Sequence, residues 1–169
     1  MLTRREAREQ AFAFVFEKSF STDSVESVIA CAKAAREDEI APYARKTAKG
    51  VFAHVEEIDG YIAAYSRARR LTRLSRVVLA ALRLSIYEIL YVPDLDPRIS
   101  INEAVELTKK FGEKEEARFV NGVLAGFMRA YQAGEIVPGG RKSAEGESAA
   151  EGGSAPSSRP VPAPEGGAQ

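Results

Sequence analysis

Val77 to Tyr91, read as VVLAALRLSIYEILY, is apolar on almost every side of a helical wheel and is broken only by Arg83, Ser85 and Glu88. A helix with no polar face has nothing to offer water, so other elements must enclose it. The rest of the chain is therefore read as a wrapping around this segment. No stretch alternates usefully with the strand period, whereas helical spacing recurs from end to end. The fold class that follows is all-α, a compact bundle of six or seven helices.

The helices around the centre announce themselves in different ways. Thr3-Arg4-Arg5-Glu6 has the form of a capping box and opens a helix whose Ala7, Ala11, Phe14, Val15 and Lys18 share a face. Val25, Val28, Ile29 and Ala32 continue the pattern after Ser-Thr-Asp-Ser. Pro42 suits a first turn, and one long helix is expected from it, with Val51, Val55, Ile58, Ile62 and Tyr65 inward. Pro93 and Pro97 predict an irregular loop. Ser100-Ile101-Asn102-Glu103 reads as a second capping box, and Gly112, just past Lys109 and Lys110, as a left-handed helix end. Phe119, Val120, Val123, Leu124, Phe127 and Tyr131 form the apolar stripe of a last helix that opens near Phe119. Gly122 inside it suggests a backbone passing close by, since glycine there gives up roughly 1 kcal/mol of propensity.

The folded domain is taken as residues 1–136. In 137–169, 23 of 33 residues are Pro, Gly, Ser or Ala and none is aromatic. Such a segment cannot bury enough surface to offset its ordering entropy, so a disordered tail is expected. Cys31 has no partner for an intramolecular disulfide and is expected to be buried and inert, in a reducing compartment. The N-terminus lacks the apolar core of a signal peptide, and no run reaches the ~20 apolar residues of a membrane span. A cytoplasmic protein without membrane contact is expected.

With 24 basic and 24 acidic residues the chain is not a general polyanion binder, so any nucleic-acid site is a local patch. Two patches stand out. Tyr61 to Tyr87 holds Arg67, Arg69, Arg70, Arg73, Arg76 and Arg83 with no acid, either a phosphate track or a solvated helix end and loop. Arg4, Arg5 and Arg8 sit on the first two turns of a helix, where cations oppose the dipole. A nucleic-acid backbone would compensate them, but the interleaved Glu6 and Glu9 also allow a plain surface ion network. Phe119 is open to two uses, core packing or stacking on a base beside Asn121 and Arg118. Catalytic signals are poor. His54 is the one histidine, no glycine-rich phosphate loop occurs, and one Cys with one His is too little for a metal site or an activated nucleophile.

Four landmarks in order, Arg4-Arg5-x-Ala7-Arg8, Leu82 to Glu88, Ile101 to Gly112 and Phe119 to Leu124, resemble the NusB family over residues 3 to about 131. The resemblance implies two packed helical subdomains and no enzymatic activity or cofactor. It implies RNA of the boxA type from ribosomal RNA leader transcripts as target, NusE (a small-subunit ribosomal protein) as partner, and the RNA polymerase elongation complex as an indirect one. Carried over by position, Arg4, Arg5, Arg8 and Phe119 are expected RNA-binding residues, and Arg69 and Arg73 of the basic track and Asn121 beside Phe119 are expected to join them. Phe16, where the family usually has Tyr, is expected near NusE. Val78 and Leu79 stand where relatives commonly carry an acid and then a base, and are expected as an exposed apolar patch facing that partner. The chain also lacks the family's usual Trp before the Leu-x-Arg-Leu segment; Arg69 or Arg70 stands nearby. Rival readings are a protein-only helical scaffold and a relative of the front domain of an RNA cytosine methyltransferase, the latter disfavoured by the lack of a glycine-rich cofactor unit. Homodimerisation is left open by the sequence.

Overall fold

The computed structural model describes residues 1–36, 39–67 and 70–139. Among them are seven α-helices and no strand: α1 (Arg4–Lys18), α2 (Val25–Arg36), α3 (Pro42–Ala53), α4 (Val55–Tyr65), α5 (Arg76–Tyr91), α6 (Pro97–Phe111) and α7 (Lys114–Gln132), with a single 3-10 turn at Leu71–Arg73. Of the expected tail, residues 140–169 lie outside the described residues.

Helix α5 is the enclosed element. Twelve of its side chains are buried, from Val78 to Leu90, and it touches α1, α3, α4, α6 and α7. Helices α1–α3 pack on one another along one side of it, and α4, α6 and α7 along the other. That arrangement is the expected pair of helical subdomains. Each fully buried Leu or Ile on α5 is worth about 1.5–3 kcal/mol of transfer free energy. Its three polar interruptions are each satisfied: Arg83 is paired to Asp59, Ser85 is bonded to Ser100, and Glu88 is bound by Arg8.

The ends of the helices follow local chemistry, with several departures from expectation. Thr3 caps α1 as anticipated, its hydroxyl accepting from the Glu6 amide at 3.2 Å while Glu6 accepts from the Thr3 amide at 2.7 Å. Helix α6 does not begin at Ser100. Asp96 caps it, with Pro97 in the first turn, and Ser100 lies inside with its hydroxyl donating to Glu88 at 3.1 Å. Gly112 ends α6 in an extended conformation (φ −127°), not a left-handed one. Its lack of a side chain answers crowding, because a Cβ there would lie 3.0 Å from the Thr108 carbonyl oxygen and 3.2 Å from Val77. Helix α7 starts at Lys114 through a Glu113–Glu116 capping box, which places Phe119 in the second turn.

The long helix expected from Pro42 is two, broken at His54 (φ −117°, ψ 19°), whose ring stacks on Tyr91 at 4.1 Å. Gly122 is exposed with nothing within 4 Å of a Cβ; Gly50 is the close-approach glycine, where a Cβ would fall 2.2 Å from the Tyr87 ring. Cys31 is exposed on α2, not buried, because Val28 and Ile29 take the inward positions. No helix among the described residues is long and apolar enough to cross a membrane.

Candidate nucleic-acid and partner interfaces

The N-terminal arginines divide into two kinds. Arg4 and Arg5 are exposed on the first turn of α1. Arg5 reaches across to α6, donating from Nη2 to Glu103 Oε1 at 3.0 Å with its side chain still 76 % exposed. The Glu103 carboxylate raises the Arg5 pKa further, so the guanidinium stays cationic throughout. Arg8 is different. It is only 5 % exposed, and its Nε donates to both Glu88 oxygens, at 3.2 and 3.0 Å. Tyr43 and Ser100 donate to the same carboxylate. Burial, then the neighbouring Glu88 charge, pushes the Tyr43 hydroxyl well above its ordinary range, so it remains a donor. The expected contact of Arg8 with RNA is therefore corrected: Arg8 shares the inward face of α1 with Ala11, Phe12 and Val15, and its charge is consumed in the core. The signal was available, since a carboxylate inside an all-apolar helix needs a cation.

The second basic track is similarly thinned. Arg83 is held by Asp59 through two 2.8 Å hydrogen bonds, and Arg76 donates to the Ser19 carbonyl at 2.6 Å while covering the Phe20 ring at 4.9 Å. Arg69 lies outside the described residues. Arg67, in a left-handed turn (φ 55°), Arg70 and Arg73 remain exposed.

Arg73 and Phe119 are brought together. They line one depression with Leu74, Ser75 and Val78, alongside Glu113, Glu115 and Glu116. Phe119 is half-buried, packed against the core with part of its surface still open. Three carboxylates against one guanidinium make this depression hospitable to an uncharged base edge and hostile to a phosphate. Asn121 is exposed but two residues on from Phe119, hence on another face of α7, where it neighbours Arg118 and Gly122. The structure does not join Asn121 to the Phe119 depression.

Val78 and Leu79 do not form the expected exposed patch. They are 3 % and 7 % exposed, because the start of α7 folds over the start of α5, with the Ser75 hydroxyl donating to Glu116. The apolar surface lies elsewhere. Phe16 stands in a row of rings, stacked on Phe12 at 6.3 Å and edge-on to Phe20 at 5.0 Å, with Phe12 stacked on Phe111 at 5.4 Å. Phe20 and Phe111 are 63 % and 47 % exposed. Phe12, Phe16, Phe111 and Val77 line a groove of about 720 Å³ edged by Glu6, Glu9, Glu17 and Lys110. Phe20, just past the end of α1, and Phe111, the last residue of α6, were the missed signal, since both are large apolar side chains left exposed.

The described residues thus form an all-helical body that carries exposed arginines at the start of α1 and an aromatic groove farther along the same helix. Comparison with known proteins sharpens this. The NusB family model matches residues 5–129. A transcription antitermination protein NusB of Listeria monocytogenes is 40 % identical over 124 residues, covering 73 % of this chain and 94 % of that protein. That of Myxococcus xanthus is 39 % identical over 130 residues, covering 73 % and 93 %. Among solved structures, NusB of T. maritima superposes with a TM-score of 0.65 at 28 % identity, covering 85 % of this chain and 98 % of that one. A crystal structure of antitermination factors NusB and NusE in complex with dsRNA superposes at 0.69 with 27 % identity, covering 76 % and 97 %. The chain belongs to the NusB family of transcription antitermination factors, which are not enzymes.

Proposed function

We propose that this chain acts in the cytoplasm as a non-enzymatic assembly factor. It holds boxA-type single-stranded RNA of ribosomal RNA leader transcripts together with NusE, and through that complex reaches the elongating RNA polymerase. The observation that carries the reading is the pair of outward guanidiniums, Arg4 and Arg5, on a rigidly capped first turn. Phosphate contacts position RNA and base contacts select it. Arg4 and Arg5 supply the first kind, and the Phe119 ring, in a depression where three carboxylates outweigh Arg73, supplies the second. NusE is assigned to the aromatic groove around Phe16, with Val77 taking the place expected for Val78 and Leu79.

A salt titration with boxA-like, scrambled and double-stranded RNA tests this. Arg4→Gln with Arg5→Gln should weaken all single-stranded RNAs alike and flatten the log-affinity against log-salt slope by ~1.4, at ~0.7 per contact. Phe119→Ala should cost ~1 to 3 kcal/mol of affinity with the slope kept. An unchanged slope in the arginine variant would transfer the phosphate contacts to Arg67, Arg70 and Arg73. Equal indifference to every RNA would leave a protein-only scaffold.

A further inference from the structure

The aromatic groove meets a matching segment in the chain's own tail. Arg159-Pro160-Val161-Pro162-Ala163-Pro164 alternates proline over six residues behind a single arginine. Proline-rich segments of this kind favour the polyproline II helix, which has no internal hydrogen bonds and little conformational entropy left to lose on docking. Their usual seat is an aromatic-lined groove. We propose that Arg159 to Pro164 docks intramolecularly in the groove formed by Phe12, Phe16 and Phe111, so that the tail covers this surface when no partner occupies it.

Three features support the fit. Six residues of polyproline II span roughly 16 Å at ~3.1 Å each, and the floor is a row of three rings, Phe16, Phe12 and Phe111, with neighbouring centroids 6.3 and 5.4 Å apart. At three residues per turn Val161 and Pro164 share one edge, and Pro160 and Ala163 another, which sets two apolar edges on the rings. Among the described residues that line the groove are Glu6, Glu9 and Glu17 with Lys110, a net negative border for the Arg159 guanidinium.

Reach is sufficient. Nineteen residues separate Gly139 from Arg159. Such a link extends to ~65 Å at most. A folded body of about 139 residues has a radius of gyration of only ~14 Å, so no part of its surface is out of range. Tethering sets an effective concentration on the order of mM, which a modest intrinsic affinity suffices to exploit. Tail docking stands on the groove and the tail alone; only its consequence, competition with NusE, rests on the partner reading above.

Amide NMR spectra of the full-length chain test the proposal, because tail substitutions cannot unfold the helices. Pro160→Ser, Pro162→Ser and Pro164→Ser together, and separately Arg159→Glu, should shift the amides of residues 9–20 and 109–112 and leave those of α4 and α7 in place. Phe111→Ser, at an exposed ring, should reciprocally shift the amides of Arg159, Val161 and Ala163. Shifts in the parent that persist on dilution support docking within one molecule. Groove amides that superimpose in all variants would overturn the proposal. Shifts that vanish on dilution would overturn it too, assigning the groove to the tail of a second copy.

Discussion

Replacing Arg8 separates folding from RNA contact most sharply. Arg8→Gln removes the cation from Glu88, whose side chain is 1 % exposed, and leaves Tyr43 and Ser100 as its donors. Breaking a buried pair from one side costs ~3–5 kcal/mol, because the remaining charge has lost both its water and its partner. Over about 139 folded residues, at ~2.1 cal/mol/K of unfolding entropy each, that corresponds to a fall in melting temperature of roughly 10–17 °C. Arg4→Gln and Arg5→Gln should each stay within about 0.5 kcal/mol of the parent, since exposed ion pairs such as Arg5–Glu103 contribute little. Urea and thermal melts of the full-length chain read both effects. A cycle of Arg8→Met and Glu88→Met, singly and together, should find the double variant less damaged than the two single losses added, as expected for coupled buried charges. An Arg8→Gln protein that melts with the parent would refute the buried pair, and Arg8 would rejoin Arg4 and Arg5 as a phosphate contact.

The two informative glycines should respond oppositely. Gly122→Ala, with open space at the Cβ and helix on both sides, should raise stability by about 0.5–1 kcal/mol; a gain in melting temperature accompanied by weaker RNA binding would show RNA backbone approaching α7 there. Gly50→Ala should destabilise by more than ~2 kcal/mol, as the Tyr87 ring lies where the methyl would go; a neutral melt would mean that the ring moves freely. Acid should loosen the helix starts. Glu6 is held below its ordinary pKa by the Thr3 amide, Asp96 by the Arg98 amide, and Glu26 by Lys49. Each therefore adds stability above its unfolded pKa that is lost as pH falls through the folded one. Glu6→Gln should shrink the stability lost between neutral pH and pH ~3, and a parent-like acid limb would count against the cap. In alkali the sign reverses: Tyr91 is raised to about 12 by burial and by its bond to Glu57, so stability should fall as pH climbs from 10. Tyr91→Phe should flatten that limb in a pH series of urea melts, and an unaltered limb would refute the assignment.

What was legible from the sequence were features decided locally or by one strong pattern. Thr3 and Glu6 cap a helix with atoms three residues apart, and α5 betrays its enclosure because almost every side of it is apolar. What misled were residues whose role depends on a distant partner. Ser100 and Glu103 match a capping box, yet Asp96-Pro97 is an equally good start. The contest is settled by Glu88 and Arg5, which claim Ser100 and Glu103 for other bonds. Val78 and Leu79 look exposed at a helix start until Glu116, 41 residues from Ser75, brings α7 over them. The break at His54 carries no Pro or Gly; it becomes intelligible only once the ring is seen on Tyr91. Of the candidate site, Arg4 and Arg5 were placed outside as expected. The aromatic groove went unseen because Phe111, at the end of α6, lies far in sequence from Phe12 and Phe16 on α1.

Helix α1 gives the two proposed surfaces a common support. Its first turn presents Arg4 and Arg5, and its Phe12 and Phe16 floor the groove, over 15 residues or about 22 Å of helix. Between them the helix is fastened to its neighbours: Arg8 to α5, Gln10 to the backbone of Glu39 and Ala41, and Glu9 to Lys110 on α6. These bonds hold α1 at three points along its length, between the arginines and the groove. Cooperation between RNA and NusE would come from the partner itself reaching RNA beside Arg4 and Arg5. On that logic the near-zero net charge is no handicap, because the chain supplies a local pair of cations and a rigid edge, and further phosphate contacts come from the assembled surface.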